Sequence, residues 1–446
     1  MLRKCFLLTI FAAGLLGANF SAAQTPFNGM PLNNQGMFMG GMGLASIGGQ
    51  TFYTINLRPE LAFGKFGAGL DFTLRYNTAT GELRNEDWND GNDFLRAIRY
   101  MRYGRKKRDP FYSRVGALES ARLGHGLIMN YYNNTLIYDE RKVGLELDYD
   151  FGIGGFELVN SSFGRREVIG GRVFYRPLQL LTATPIIKNF ALGATVVRDD
   201  DPDSYRGTGD GVSVFGLDAE LPIIKTRLSE VKLYADLAKI QDFGSGQAAG
   251  VEVNIFGVSG LFDFGAQLER RFLGAQFLPA YFGPFYELER TSFQNPATGQ
   301  AVPKRQFLGN QKSSSGTFGL LYGQVLNSLR LVGTFERRDG KPKSGIVHIE
   351  ATLPETIPKV AFRASYDDKN IDNFGDVFKL DENAAARIGV GYRMDPLILY
   401  IDYIYTFRYD PNKPDPKTGL LKGGYVVQRR IEPQIALAFS FPIGGR

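Results

Sequence analysis

From residue 397 to 409 the chain alternates. Leu397, Leu399, Ile401, Tyr403, Tyr405, Phe407 and Tyr409 share one parity; Ile398, Tyr400, Asp402, Ile404, Thr406 and Arg408 share the other. A strand sends successive side chains to opposite faces, so the pattern predicts one continuous apolar face and one mixed face. The run is longer than the five or six residues usual in a soluble sheet and matches a tilted strand crossing a bilayer. Its aromatic end, near Tyr409, is where a girdle would meet lipid headgroups.

The same unit recurs. Residues 51–63 and 66–76 predict a first hairpin turning at Gly64-Lys65. In its second strand Phe66, Ala68, Leu70, Phe72, Leu74 and Tyr76 share one face; Gly67, Gly69, Asp71, Thr73 and Arg75 share the other. Further strands are expected near 112–118, 141–150, 155–163, 168–176, 190–197, 212–221, 231–240, 248–257 and 261–272. Others follow near 317–324, 329–336, 345–353, 360–366, 386–394, 397–409 and 425–441. Short Gly- or Pro-containing connections alternate with long polar ones such as 199–211, 368–383 and 410–424, as periplasmic turns alternate with external loops. The expected fold is therefore all-β: a single transmembrane antiparallel up-and-down β-barrel of about 18 strands, range 16–20, the number in bacterial barrels being even. Residues 40–50 and 273–315 are the stretches in which a further strand would hide.

Two stretches break the alternation. Residues 24–50 are rich in Gly, Met and Asn without a clear period. They read as a flexible lead-in or as a plug folded into the lumen. Residues 93–103 read as a short helix, with Phe94, Ile98 and Met101 at helical spacing and Arg96, Arg99 and Arg102 on another face. The alternatives are a solvated surface helix, a misread strand, or an inward loop lining a constriction with arginines.

Composition narrows the class. The chain has 446 residues, 43% hydrophobic, 22% charged and 13% aromatic, with 54 glycines and one Trp. Beyond the N-terminus no apolar run reaches the roughly 18–20 residues of a membrane helix. Residues 1–23 read as a signal peptide: Arg3 and Lys4, an apolar core over 6–18, and Ser21-Ala22-Ala23 before the cleavage site. The only cysteine, Cys5, leaves with it, which excludes disulfides and thiol chemistry in the mature chain. Arg3 and Lys4 leave too, so the 52 basic residues become 50 against 46 acidic ones, too even to suggest nucleic acid. Residues 51–446 are then one barrel.

The C-terminal Gln434-Ile435-Ala436-Leu437-Ala438-Phe439-Ser440-Phe441 resembles the terminal signal of bacterial outer-membrane barrels. With the strand pattern, it makes the chain similar to porin-like outer-membrane proteins. The resemblance implies an outer-membrane location, lipid contact, engagement of the barrel-assembly machinery, and a channel for small polar solutes rather than an enzyme. The glycine-rich lead-in is similar in style to the long-chain fatty-acid channel family. That family's early Asn-Pro-Ala motif has its nearest counterpart in Asn56-Leu57-Arg58-Pro59. This second resemblance implies a hydrophobic-ligand transporter with an N-terminal hatch. A non-conducting structural or assembly barrel is the third alternative.

Candidate pore-lining residues are Arg96, Arg99, Arg102, Asp71, Arg75, Asp402 and Arg408. Mixed charges on the polar faces would orient solutes across a pore or, in a closed lumen, form ion pairs. No catalytic residue is assigned: His125 and His348, the only histidines, have no fixed nucleophile nearby in sequence. Asp199, Asp201, Asp203 and Asp210 form an acidic loop that is either solvated or a calcium site, without the EF-hand spacing. No other cofactor is expected.

Overall fold

The computed structural model describes residues 35–47, 49–88, 97–104, 106, 109–137, 142–164, 167–184, 186–202, 211–226, 228–256, 262–294, 301–325, 329–353, 360–394, 397–410, 412–414 and 424–442. In chain order the strands begin β1 (Gln35–Ile47), β2 (Gln50–Phe63), β3 (Phe66–Leu70), β4 (Phe72–Asn77), β5 (Ile98–Tyr103), β6 (Phe111–Gly116), β7 (Gly144–Asp150) and β8 (Gly154–Asn160). They continue with β9 (Val168–Tyr175), β10 (Ala191–Asp199), β11 (Val212–Lys225), β12 (Ser229–Ile240), β13 (Ser245–Phe256) and β14 (Phe262–Leu273). A small two-stranded hairpin, β15 (Phe293–Gln294) and β16 (Ala301–Val302), lies between helices α1 (Tyr286–Ser292) and α2 (Lys304–Leu308). The wall then resumes with β17 (Ser314–Val325), β18 (Leu329–Arg338), β19 (Gly345–Leu353), β20 (Val360–Ile371), β21 (Ala384–Met394), β22 (Leu397–Asp410) and β23 (Gly424–Pro442).

Every wall strand pairs antiparallel with its neighbours, and β1 pairs with β23 from Gln35↔Pro442 to Gly43↔Gln434, which closes the sheet. β3 and β4 are two halves of one stave broken at Asp71, both pairing with β2. The 21 strands of the sheet therefore make 20 staves. That number is even and lies inside the expected range, but above the expected 18.

The two missed staves are β1 and β5. Residues 35–47, expected as lead-in or plug, are a wall strand, so the barrel begins before residue 51. Gly36, Gly40, Gly41 and Gly43 hid its period, because a glycine shows no face. Residues 24–34 lie outside the described part. Ile98–Tyr103 is a strand and not a helix. Its pairing with β3 shifts register between Gly69 and Leu70. That bulge sends both Arg99 and Tyr100 inward, so Arg99 and Arg102, three residues apart, share the inner side of an extended chain. Residues 93–96, the first part of the expected helix, lie outside the described residues.

One parity of each strand faces outward and is apolar: Tyr53, Leu57 and Leu61 on β2; Ile169 and Val173 on β9; Leu399 and Ile401 on β22 are all exposed. At the short-turn rim, exposed Phe63, Phe66, Tyr103, Phe111, Tyr149 and Tyr175 form an aromatic girdle. Tyr103–Phe111 and Phe111–Tyr149 ring centroids are 5.8 and 6.0 Å apart. The girdle expected at the far end of β22 takes another form. Tyr405 is buried with Tyr366 and Ala386, and Phe407 packs with Leu136, Phe285 and Leu288. The 372–383 loop covers that side, with Phe378 and Tyr366 rings 5.2 Å apart.

Candidate functional site

Two long connections from the same rim, described over 117–137 and 142–143 and over 274–294 and 301–313, fold into the lumen and meet there. Ala280 N donates to Leu127 O (2.7 Å), Phe282 N to Ile128 O (3.2 Å) and Asn130 N to Phe282 O (3.2 Å). Water-exposed loops are ordinarily polar. These carry Leu123, Leu127, Ile128, Met129, Tyr132, Phe277, Leu278, Tyr281, Phe282 and Tyr286, all buried in one cluster. The cluster docks on lumen-facing apolar residues at the loop ends of β9–β12: Val168, Val197, Val212, Val214 and Ile240. Burying one large apolar side chain contributes about 1.5–3 kcal/mol, so this seat is strongly favoured. The first loop then crosses to β22, where Ile137 bridges Phe407 and Thr406 Oγ1 donates to Leu136 O. An inward loop is expected at 93–103; there Ile98–Tyr103 is a wall strand and residues 93–96 lie outside the described residues, whereas the connections that enter the lumen follow β6 and β14.

The tip of the first loop is Leu123-Gly124-His125-Gly126. Gly124 and Gly126 have φ +54° and +94°, and a Cβ on Gly126 would lie 2.8 Å from Asn130 Oδ1. Glycine at both positions lets the tip turn tightly and present His125 to the wall. His125 Nδ1 lies 2.8 Å from Asp236 Oδ1 and Nε2 3.1 Å from Glu220 Oε2. Its ring stacks on Tyr234 at 4.1 Å. Burial alone would lower the His125 pKa; the carboxylates of Asp236 and Glu220 more than offset it and push it up to about 9. His125 is thus an imidazolium clamped between two carboxylates. Beside it, Gly124 N donates to Glu157 Oε2 (2.8 Å), and Arg122 reaches Gln267 Oε1 (2.6 Å).

The second loop is anchored through α1. Glu289 bridges Lys304 Nζ (2.6 Å) of α2 and Lys369 Nζ (2.8 Å) of β20. Burial would raise the Glu289 pKa, but the two lysines hold it down to about 2. Arg290 reaches Glu167 at 3.0 Å and Asp199 at 3.4 Å; Tyr286 donates to Asp199 at 2.8 Å.

The lumen wall is electrostatically divided. On β2–β6 and β20–β23, contiguous through the β1 closure, arginines predominate: Arg58, Arg75, Arg99, Arg114, Arg363, Arg387 and Arg430. They surround Glu60, Asp71, Asp402 and Glu432. On β7–β14 carboxylates predominate: Glu146, Glu157, Asp218, Glu220, Asp236, Glu252 and Glu269. Arg172 sits among them, bidentate on Asp218 at 2.8 and 2.6 Å.

Several expected pore residues fall in the first arc. Arg75 contacts Asp87 (3.3 Å) and Glu432 (3.2 Å), and Asp71 faces Arg58 (3.3 Å). Asp402, fully buried, is held by Arg363 and lies 3.6 Å from Arg387. Arg99 reaches Glu60 at 2.8 Å, whereas Arg102 donates to Gly104 O at 2.7 Å. Arg408 keeps the lumen-facing parity of Asp402. Arg96 lies outside the described residues. The sequence reading missed His125, Asp236, Glu220 and Glu289 as a group, because the wall strands and the inward loops are far apart in sequence. The dense apolar content of 117–137 is the signal that marks it as an inward loop.

Among the candidate calcium ligands, Asp199 is engaged by Tyr286 and Arg290, and Asp201 N donates to Asp199 Oδ1 (3.1 Å). Asp203 and Asp210 lie outside the described residues. His125, Asp218 and Asp236 bring donor atoms within 4.8 Å of one another. Arg172 already occupies Asp218, and both His125 nitrogens face carboxylates. His348 is held likewise, Nδ1 2.7 Å from Asp367 and Nε2 3.0 Å from Glu350.

A closed antiparallel sheet with an apolar outer face, an aromatic girdle and a charged interior defines a transmembrane β-barrel of the outer-membrane type. No family model and no curated protein matches the chain. Among solved structures it is similar to OpdK from Pseudomonas aeruginosa, with 9% identity, TM-score 0.31, and 91% of this chain and 99% of that chain covered. OccK9 (OpdG) from the same organism gives 12% identity and TM-score 0.32, covering 91% and 98%. CdiB from Acinetobacter baumannii gives 7% identity and TM-score 0.28; the match covers 91% of this chain but 60% of CdiB. At these scores the superpositions are loose, and the barrel assignment rests on the strand pairing.

Proposed function

We propose that the protein is a porin-like channel through which small polar solutes pass passively, with anionic solutes drawn along the arginine-rich arc. The observation that carries this reading is the division of the lumen wall into a basic and an acidic arc. Opposed walls of fixed charge orient a dipolar or anionic solute and exclude apolar ones. The inward loops are the constriction. The final strand, β23, is the segment that barrel-assembly machinery would engage.

The test is single-channel recording of the refolded, signal-free protein in a planar bilayer. Stable steps are expected, with a reversal potential under a salt gradient that favours anions. Neutralising Arg363 and Arg387 to glutamine should move that reversal potential toward cation preference. Silence from protein demonstrably folded and inserted would sink the open-channel reading. A second reading, a non-conducting structural barrel, is supported by the packed loop core and by the many buried ion pairs. It predicts silence from the native chain.

A further inference from the structure

The outer wall is not uniformly convex. Over β8–β14, toward the loop rim, a groove of about 1620 Å³ opens on the lipid-facing side. The strand pairing explains it. Gly171 and Ala194 fall at outward positions with little or no side chain, with Val173 and Leu217 beside them. Phe215 and Phe272 form its flanks. Its volume exceeds the roughly 300–1,000 Å³ of sites for drug-sized ligands. The outward-facing charged side chains that line it, Arg198 and Lys239, are both basic. Each is the penultimate residue of a strand running toward the long-loop rim, β10 and β12. Both are exposed, Arg198 beside Asp200 and Lys239 donating to Phe243 O (2.9 Å).

We infer that this groove binds a multi-acyl, phosphorylated glycolipid of the outer leaflet. The acyl chains lie on the Gly171–Ala194 floor, and the phosphates sit at Arg198 and Lys239. The order of chemistry along the groove fixes the occupant. Cations stand at the long-loop rim, the external side of such a barrel, and the apolar floor lies below them. A lipid with an anionic headgroup in the outer leaflet matches that order; one inserted from the short-turn side meets it reversed. A single outward cation on a barrel face is costly near the midplane and tolerated near an interface, so two basic side chains over one cavity point to headgroup level.

The experiment uses the full-length signal-free protein folded in detergent, titrated with bisphosphorylated lipid A and read by native mass spectrometry. Circular dichroism and heat-modifiable gel mobility verify folding of each variant. The wild type should retain the lipid. Each basic residue near an anionic headgroup contributes roughly fivefold in affinity, so Arg198→Gln with Lys239→Gln should weaken retention about 25-fold. Ala194→Trp, which fills the groove while leaving both cations, should abolish it. Equal retention by wild type and both variants would overturn the site. So would equal retention of an acyl lipid with an uncharged headgroup, which would reduce the groove to ordinary lipid contact. Dimerisation abolished by Ala194→Trp, without lipid retention, would assign the groove to a second copy of the chain and overturn it as well.

Discussion

Replacing His125 with alanine should destabilise the barrel by about 3–5 kcal/mol, the cost of removing one partner from a buried charge cluster. Asp236 and Glu220 lose their shared imidazolium, and Asp236 Oδ2 already has no hydrogen-bond partner among the described residues. The nearby cations do not compensate fully, since Lys232 contacts Glu220 (3.2 Å) and Arg172 is engaged by Asp218 and Glu157. The loop tip should detach before the wall fails, because the wall keeps its own backbone pairing. Protease nicking within 117–143 and a rise in open-channel conductance measure the detachment. Proteolysis and conductance indistinguishable from wild type would mean that His125 is not the clamp. The pH dependence has a defined sign. The folded-state pKa of about 9 lies above the ordinary 6.5. Its stabilisation is therefore complete below about pH 6.5 and is lost as the pH rises through 9. Alkaline medium should loosen the wild-type tip, and the alanine variant should lack that transition.

The strands were legible where the two faces differ in chemistry. β22 and β4 alternate apolar and polar residues because one face meets lipid and the other a charged lumen, and both were read in register. β1 was not, since its glycines leave half the positions silent. β5 was misread because a bulge places Arg99 and Tyr100 on the same side, which imitates a helical repeat. The charged lumen residues Asp71, Arg75 and Asp402 follow from parity alone. Their partners do not, because Glu432 pairs with Arg75 only once the barrel closes. The inward loops were hidden for a related reason. Their docking face consists of four valines and Ile240 at the ends of β9–β12, and in one dimension an inward aliphatic residue looks like any other strand residue. The combination of apolar loop and apolar lumen-facing strand ends is the readable signature, and it needs both halves.

Glu289→Ala should release the second inward loop, again at a cost of about 3–5 kcal/mol. Glu289 is the shared carboxylate of Lys304 and Lys369, and the lysines themselves lie over aromatic rings. Lys304 is 5.1 Å from the Tyr281 centroid and Lys369 is 5.0 Å from that of Phe285. Those rings soften the burial of each ammonium. They do not separate the two cations electrostatically once the carboxylate between them is gone. Glu289→Gln keeps the shape and some hydrogen bonding but not the charge, so it should recover only part of the loss. If glutamine restored wild-type stability, the bridge would be a hydrogen-bonding device and not an ionic one. The acid dependence runs opposite to that of His125. Glu289 is held at about 2, below its ordinary 4.5. Its contribution is therefore present above about pH 4.5 and is lost as the pH falls through 2. The two anchors thus bracket a window from about pH 4.5 to 6.5 in which both contribute in full. Thermal melts across pH should place maximal stability there. The His125 variant should lessen the loss on the alkaline side of the profile and the Glu289 variant that on the acid side. A profile in which either variant lessened the loss on both sides would show that the two loops undock as one unit, through the Ile128–Phe282 contact, and not anchor by anchor.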